Sequence, residues 1–340
     1  MKIAVDAMGG DHGPGVVVEG AIVAQQEFGV SVVLVGDQAA IERELDRLGG
    51  RRLGVEVRHA SQVVGMAESP SQALRRKRDS SLRVAAELVR DGHASAFVSA
   101  GNTGAAMAVA MFVIGVLRGV DRPAIAAVLP NLRGYTVLLD VGANVTPRSW
   151  HLFQFAVMGH VYARDILGIT RPRVGLLSVG EEEGKGNDLT REAYETLRES
   201  SLNFAGNVEG RDIYNGGCDV VVTDGFTGNV ALKISESLAD MIGAMIKEEL
   251  TRDIRSRLGA ALAVPAFQRF RRRVDYTEMG GAPLLGIDGA AVISHGSSPP
   301  KAIKNAVRVA AEWAKAGLNE HIKAALDLEL THSQREGGRE

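Results

Sequence analysis

Polar residues flanked by glycine recur in this 340-residue chain where apolar runs end. Asp11 and His12 sit in Gly9-Gly10-Asp11-His12-Gly13, Asn102 and Thr103 between Gly101 and Gly104, and Asn144 closes Val141-Gly142-Ala143-Asn144. Lys185 lies between Gly184 and Gly186, Asp224, Thr227 and Asn229 surround Gly225 and Gly228, and His295 precedes Gly296. The set offers backbone N–H groups, amides, one lysine and two histidines, and is poor in nucleophiles. It suits holding a phosphate or stabilising an oxyanion better than forming a covalent intermediate. The stretch 219–233, DVVVTDGFTGNVALK, reads as a buried strand, a glycine loop and a helix from Asn229, a layout that turns free N–H groups toward an anion. A second G-x-T-G loop at 101–104 suggests two halves of one site, or one site and one packing echo.

Other chemistries fail on spacing. GEEEGKG has three residues between its first two glycines and no Ser or Thr after Lys185, so it is not a Walker A loop. G-x-G-x-x-G after the first strand and G-x-S-x-G are both absent. The run Glu181, Glu182, Glu183 reads as solvated acid, so neither a metal nor another cofactor is expected. The single cysteine, Cys218, excludes an intramolecular disulfide and reads as core. His151 and His160 fall in an apolar helix, and His59, His93, His321 and His332 have no supporting motif.

The elements that must position these groups follow a β-α rhythm. Strands are expected at 2–7, 31–36, 53–57, 94–99, 174–179, 220–223 and 290–294, with helices at 14–28, 37–48, 69–90, 103–116, 149–167, 188–199 and 301–328. Segments 124–129 and 135–140 read as an antiparallel hairpin around Pro130-Asn131-Leu132-Arg133-Gly134. The rhythm implies a mostly parallel sheet, with the polar strand ends gathered along one side of it. Apolar content of 45%, charge of 24% and 40 glycines fit one α/β unit, here taken as 1–330 with a polar tail at 331–340. A net charge of -2 gives no sign of a nucleic-acid partner. The start MKIAVDAM runs directly into a strand, and no apolar run reaches the ~18 residues of a membrane span, so a cytoplasmic location is expected.

Segment 251–275 carries seven arginines against two aspartates, around an uncharged centre from Leu258 to Phe267. With an interruption near Val264-Pro265, it reads as a helical hairpin, about 235–275, with an apolar tip. Two readings stand: an interfacial anchor on an anionic membrane surface, or a dimer interface or core-packed hairpin.

Assembled, these residues resemble the PlsX family of phosphate acyltransferases. The matching stretches are IAVDAMGGDHGP at 3–14, ALRRKRDSS at 73–81, SAGNTGA at 99–105, LLDVGAN at 138–144, VGEEEGKG at 179–186, NFAGNVEGRDI at 203–213, the 219–233 stretch, GGAPLLGIDG at 280–289 and SHGSS at 294–298. The resemblance implies a Rossmann-like α/β/α sandwich related to phosphate acetyltransferases and isopropylmalate dehydrogenase-like folds. It also implies a homodimer peripherally associated with the membrane in phospholipid synthesis, and a downstream glycerol-phosphate acyltransferase as a partner. The implied reaction converts acyl-acyl-carrier protein and inorganic phosphate to acyl phosphate and free carrier protein. On that reading Lys185 neutralises charge, the loop Gly101, Asn102, Thr103, Gly104 cradles phosphate with Asp11 and Asn144 nearby, and Asp224, Thr227, Gly228 and Asn229 orient the reacting groups. His12 or His295 bonds phosphate or assists the thiol. The acidic carrier protein would dock on Arg75, Arg76, Lys77 and Arg78 or on Arg269, Arg271, Arg272 and Arg273. The alternatives are a phosphate acetyltransferase-like enzyme using short acyl-coenzyme A, an NAD-dependent decarboxylating dehydrogenase, and a non-catalytic membrane scaffold.

Overall fold

The computed structural model describes residues 1–336, apart from the side chains of Arg52, Arg271, Arg272, Val274, Tyr276 and residues 332–336. Its strands are β1 (Lys2–Asp6), β2 (Ser31–Gly36), β3 (Glu56–His59), β4 (Ala96–Ser99), β5 (Ala124–Pro130), β6 (Tyr135–Leu139), β7 (Val174–Leu177), β8 (Phe204–Val208), β9 (Val220–Val222), β10 (Ala282–Leu285) and β11 (Ala291–Ile293). Its helices are α1 (Pro14–Phe28), α2 (Gln38–Arg47), α3 (Pro70–Arg76), α4 (Ser81–Arg90), α5 (Thr103–Val109), α6 (Ser149–Asp165), α7 (Asp188–Arg198), α8 (Asp212–Asn215), α9 (Gly225–Thr251), α10 (Ile254–Val274), α11 (Pro300–Ala316) and α12 (Leu318–Glu336).

All eleven strands join one sheet in the order β3-β2-β1-β4-β11-β10-β5-β6-β9-β7-β8. Alternation along each strand sends neighbours to opposite faces. Ile3 and Val5 join Val18, Phe155 and Trp313 under α1, α6 and α11, while Ala4 joins Phe97, Leu82 and Ala86 under α4. Helices thus cover both faces, and the layers are α/β/α.

The sheet is mostly parallel, but the three central pairings, β11 with β10, β10 with β5 and β5 with β6, are antiparallel. An odd number of reversals turns the second half over. Strands β1, β4, β11 and β5 end on one rim, here the top. Strands β6, β9 and β7 are mutually parallel and end on the opposite, bottom rim. The expectation that all polar strand ends share one side is therefore wrong. It treated the β5–β6 hairpin as a local excursion, whereas that hairpin reverses every strand beyond it.

Several boundaries move for identifiable reasons. The expected third strand at 53–57 shifts to Glu56–His59, because Gly50–Leu53 forms a 3-10 turn. The single basic helix expected at 69–90 is two, since the Ser80 side chain caps α4 by accepting from the Arg83 N–H. The helix after Thr103 passes into a π segment at Ala110–Ile114 and stops at Gly115. Helix α9 begins at Gly225 rather than Asn229, with Asp224 as its cap. The long helical region breaks at Arg252 and Asp253, where Asp253 caps α10, and it continues through Pro265. Leu258 to Phe267 is consequently mid-helix rather than a tip. Of the expected tail, 331–336 continues α12 and 337–340 lie outside the described residues.

Candidate functional site

The top rim collects the residues from β1, β4 and β11. The Asp11 N–H donates to the Gly296 carbonyl at 2.8 Å, which joins the Asp11–His12 loop to the His295 loop. Gly9 lies against Gly101 so closely that a Cβ would stand 2.7 Å from the Gly101 nitrogen, so the first loop also seats on the Asn102 loop. Asp11, His12, Gly101 to Gly104 and His295 thus share one neighbourhood. Asp11, His12 and His295 are exposed.

Asn102 is a pin. Its Oδ1 accepts from the Ala105 N–H at 2.9 Å, capping α5, while its Nδ2 donates to the carbonyls of Met66 and Glu68 at 2.8 and 2.9 Å. The N–H groups of Thr103 and Gly104 remain in the first turn for a ligand. The ring of His295 is oriented by Ser297, whose Oγ lies 2.8 Å and whose N–H lies 3.3 Å from Nδ1. A donor on Nδ1 requires a lone pair there, so the neutral ring carries its proton on Nε2.

Beneath these loops lies Asp6, which sequence reasoning missed. It is 2% exposed and accepts from Ser99 Oγ at 2.7 Å, and Ser99 Oγ in turn accepts from the Gly101 N–H at 3.1 Å. Burial pushes its carboxyl above the ordinary range, against bonds from Ser81, Ser99 and the N–H groups of Met8 and Gly9.

The bottom rim has the same construction. Asp140, wholly buried at the end of β6, accepts from the N–H groups of Ile125, Gly142, Ala143 and Asn144 and from Asn144 Nδ2, at 2.6 to 3.2 Å. Burial raises its pKa as well, opposed by these bonds. Asn144 adds a bond from Nδ2 to the Pro123 carbonyl at 2.8 Å. It is 7% exposed, and its amide nitrogen is shared between the Asp140 carboxylate and that carbonyl, which ties the loop together. The Asn144 carbonyl accepts from the Gly225 N–H at 2.7 Å, and a Cβ on Gly228 would lie 1.9 Å from the Asp140 carbonyl oxygen. These glycines let α9 seat directly on the Asp140 loop; they do not line a free phosphate loop. In both rims the signal was an aspartate ending an apolar strand just before glycine, in VDAMGG and LDVGAN.

Asp224 occupies the helix terminus itself, accepting from the Thr227 N–H at 2.9 Å and from Thr227 Oγ1 at 2.7 Å. The two G-x-T-G loops are not equivalent, because Asn102 caps from the residue before its Thr and Asp224 from three residues before its own. An open cleft of about 450 Å³ lies between Asp224, Phe226 and Thr227 on one wall and Thr146, Pro147 and Asn187 on the other. Asn229 is exposed beside Gly142. On the neighbouring loop Glu181 pairs with Arg211 and Glu183 with Arg198, each at 2.6 Å. Those pairs leave exposed Lys185 without an ion-pair partner among the described residues.

The two basic clusters fare differently. Arg75, Arg76 and Arg78 are exposed and without ion pairs among the described residues, on α3 and the turn after it. Pro70 at the start of α3 lies against Gly104, so the cluster borders the top-rim loops. Lys77 is held instead by Glu68. In the second cluster Arg269 is exposed, Arg273 donates to the carbonyls of Asn131 and Leu132, and the side chains of Arg271 and Arg272 lie outside those described.

A sheet of this build with helices on both faces and polar loops at reversed strand ends is the fold of phosphotransacetylases. The phosphotransacetylase from Streptococcus pyogenes superposes with a TM-score of 0.66 over 93% of this chain and 94% of that one, at 19% identity. The EutD phosphotransacetylase from Staphylococcus aureus gives 0.61 over 92% and 94%, at 17%. Sequence narrows the class. The family model described as "Fatty acid synthesis protein" matches residues 1–321. Proteins named phosphate acyltransferase from Geotalea uraniireducens and Geobacter sulfurreducens are 55% and 53% identical, covering 96% and 97% of this chain and 94% and 96% of theirs. The chain belongs to this family and is an acyltransferase.

Proposed function

We propose that the chain transfers the acyl group of an acyl-carrier-protein thioester to inorganic phosphate. A phosphate oxygen attacks the thioester carbon, the C–S bond breaks, and acyl phosphate and the carrier thiol leave. The observation that carries this reading is a set of rim loops rich in donors and poor in nucleophiles. The one thiol, Cys218, is buried and its pKa is pushed up to about 11 by desolvation, so it is not available for a covalent acyl-enzyme. Phosphate brings its own nucleophilic oxygen near neutral pH, and the protein has only to hold it and to stabilise the developing oxyanion.

In the homodimer, Lys185 on the bottom rim of one protomer supplies the positive charge, and the Thr103 and Gly104 N–H groups with His12 on the top rim of the other hold phosphate. The Nε2–H of His295 donates to phosphate or to the departing sulfur. Asp224 and Thr227 keep the first turn of α9 in place beside the cleft, and Asn229 orients the acyl group there. The acidic carrier protein docks on Arg75, Arg76 and Arg78. The chain works as a homodimer at an anionic membrane surface. No helix among the described residues is long and apolar enough to cross a membrane, and contact with lipid falls to the arginine-flanked face of α10. The test is phosphate-dependent release of free carrier protein from palmitoyl-carrier protein, with acetyl-coenzyme A as the parallel donor. Lys185→Ala should lower the palmitoyl rate at least 100-fold. Faster turnover of acetyl-coenzyme A than of the carrier-protein substrate would replace the long-chain reading with a short-acyl one.

A further inference from the structure

The proposed reaction leaves the stretch NFAGNVEGRDI at 203–213 without a part, and it puts three successive glutamates, Glu181 to Glu183, next to the lysine that meets an anion. Bare carboxylates there would repel phosphate. The structure uses all three residues to hold the loop instead. Glu181 pairs with Arg211 and Glu183 with Arg198, each at 2.6 Å. Glu182 acts through its backbone. Its carbonyl accepts from the Lys185 N–H at 3.0 Å, closing the turn Glu182-Glu183-Gly184-Lys185, and from Asn207 Nδ2 at 2.9 Å. One carbonyl oxygen has a lone pair for each.

Asn207 lies in β8, paired with Leu176 of β7, and Ser178 carries the ladder one residue past β7 by donating its N–H to the Val208 carbonyl at 2.8 Å. The loop thus leaves the sheet at Ser178 and is caught again at Glu182 by the neighbouring strand. The glycines on both sides of Lys185 make that catch necessary, because they free the backbone there. Gly186 has a φ of +104°, and a Cβ on it would collide with Thr190 Oγ1 and stand 2.9 Å from Ser178 Oγ. The two ion pairs hold the loop loosely, since all four side chains are at least half exposed and such pairs weaken further in salt. Asn207 is 4% exposed, and its bond is shielded from water. Stability is a poor reason for an amide at this position. Asn207 Oδ1 and Ser178 Oγ, which face the same side of the sheet, are buried without hydrogen-bond partners among the described residues, a cost that an apolar side chain would not carry.

We propose that Asn207 is a positioning residue for Lys185, holding the Glu182 carbonyl, and through it the Lys185 backbone, where the ammonium meets the reacting oxygens. This rests on the acyl-transfer reading above. Asn207 is itself too buried to reach a substrate, so its effect on the reaction runs through the loop. With its bond to Glu182 cut, the turn lifts more freely from the sheet, and the ammonium spends less of its time where negative charge develops. That interaction is made in the transition state, so the loss falls on kcat and leaves the KM of the acyl donor nearly unchanged. The acidic run gains a part as well: Glu181 and Glu183 are neutralised before phosphate arrives, and Glu182 lends its carbonyl.

The test is a double-substitution cycle of Asn207→Ala and Lys185→Ala in the full chain, read by phosphate-dependent release of carrier protein from palmitoyl-carrier protein. Asn207→Ala alone should lower kcat about 10- to 100-fold and change the KM of the donor less than about threefold. On top of Lys185→Ala it should cost less than about a further twofold, because the side chain it positions is already gone. A residue that merely supports the fold would cost the same factor in both backgrounds. That result overturns the proposal, as does an Asn207→Ala chain as fast as wild type. Absence of phosphate-dependent release by the wild-type chain refutes the acyl-transfer reading, and the proposal with it. Asn207→Leu, of the same branched shape, guards against misfolding. Its denaturation midpoint should equal or exceed that of wild type while its kcat is as low as that of the alanine variant, and a Leu variant with the wild-type rate overturns the proposal. Amide exchange gives a readout apart from turnover. Loss of Asn207 should speed exchange at Lys185 at least 10-fold and leave β7 and β9 unchanged; unchanged exchange at Lys185 also overturns it.

Discussion

Asp224 is placed to cap a helix, and its replacement separates capping from chemistry. Its carboxylate takes the Thr227 N–H at 2.9 Å and Thr227 Oγ1 at 2.7 Å. Loss of a cap of this kind costs about 0.5–2 kcal/mol, and the negative charge at the helix terminus adds about 0.3–1 kcal/mol. Asp224→Ala should therefore destabilise the protein by about 1–3 kcal/mol. Asp224→Asn keeps an oxygen for the Thr227 N–H and loses only the charge, so its cost should stay below about 1 kcal/mol. Because α9 is seated through Gly225 on Asn144 and through Gly228 on Asp140, a frayed first turn displaces one wall of the cleft. Denaturant unfolding gives the stability loss, amide exchange at Thr227 reports the cap, and phosphate-dependent carrier-protein release gives the rate. The expected order in all three is wild type, Asn, then Ala. An Asn variant as inactive as the Ala variant, with its cap intact by exchange, would refute the capping account and assign the carboxylate charge to the reaction.

Gly228→Ala would set a methyl 1.9 Å from the Asp140 carbonyl oxygen, and should destabilise by about 3 kcal/mol or more while abolishing activity, measurable by unfolding and turnover. Burial raises Asp6 above the ordinary 3.8, so the folded chain binds more protons than the unfolded chain between that value and the raised one. Stability should fall as pH rises through this window, and Asp6→Asn should flatten the slope in pH-resolved denaturation. Replacing Arg75, Arg76 and Arg78 together by alanine should weaken carrier-protein binding by about 1–3 kcal/mol, roughly 5- to 150-fold in Kd. The loss should shrink at high salt, and Arg269→Ala should leave titrated affinity unchanged.

The sequence was most legible where periodicity and punctuation act locally. Helix α1 and strand β2 fall where their apolar patterns place them, because Pro14 opens the helix and Gly29 closes it in a left-handed turn. The β5–β6 hairpin was equally plain from its turn residues. Caps were read less well. Asp224 and Asn102 look like ligand-facing polar residues in a one-dimensional reading, and only the fold shows their oxygens already engaged by Thr227 and Ala105. Asp6 and Asp140 were passed over because a buried carboxylate is recognised by the donors around it, and those come from segments that are remote or whose fold is unknown, such as Ser99 and Ile125.

By itself the sequence determined the α/β class, the family and the set of polar loops, since each depends on residue types and short spacings. Tertiary structure alone decided which of those loops meet. Strand direction is fixed by pairing between segments far apart in the chain, and no local pattern records it. Three antiparallel pairings at the centre of the sheet carry Lys185 and Asp224 to one rim and His12, Asn102 and His295 to the other.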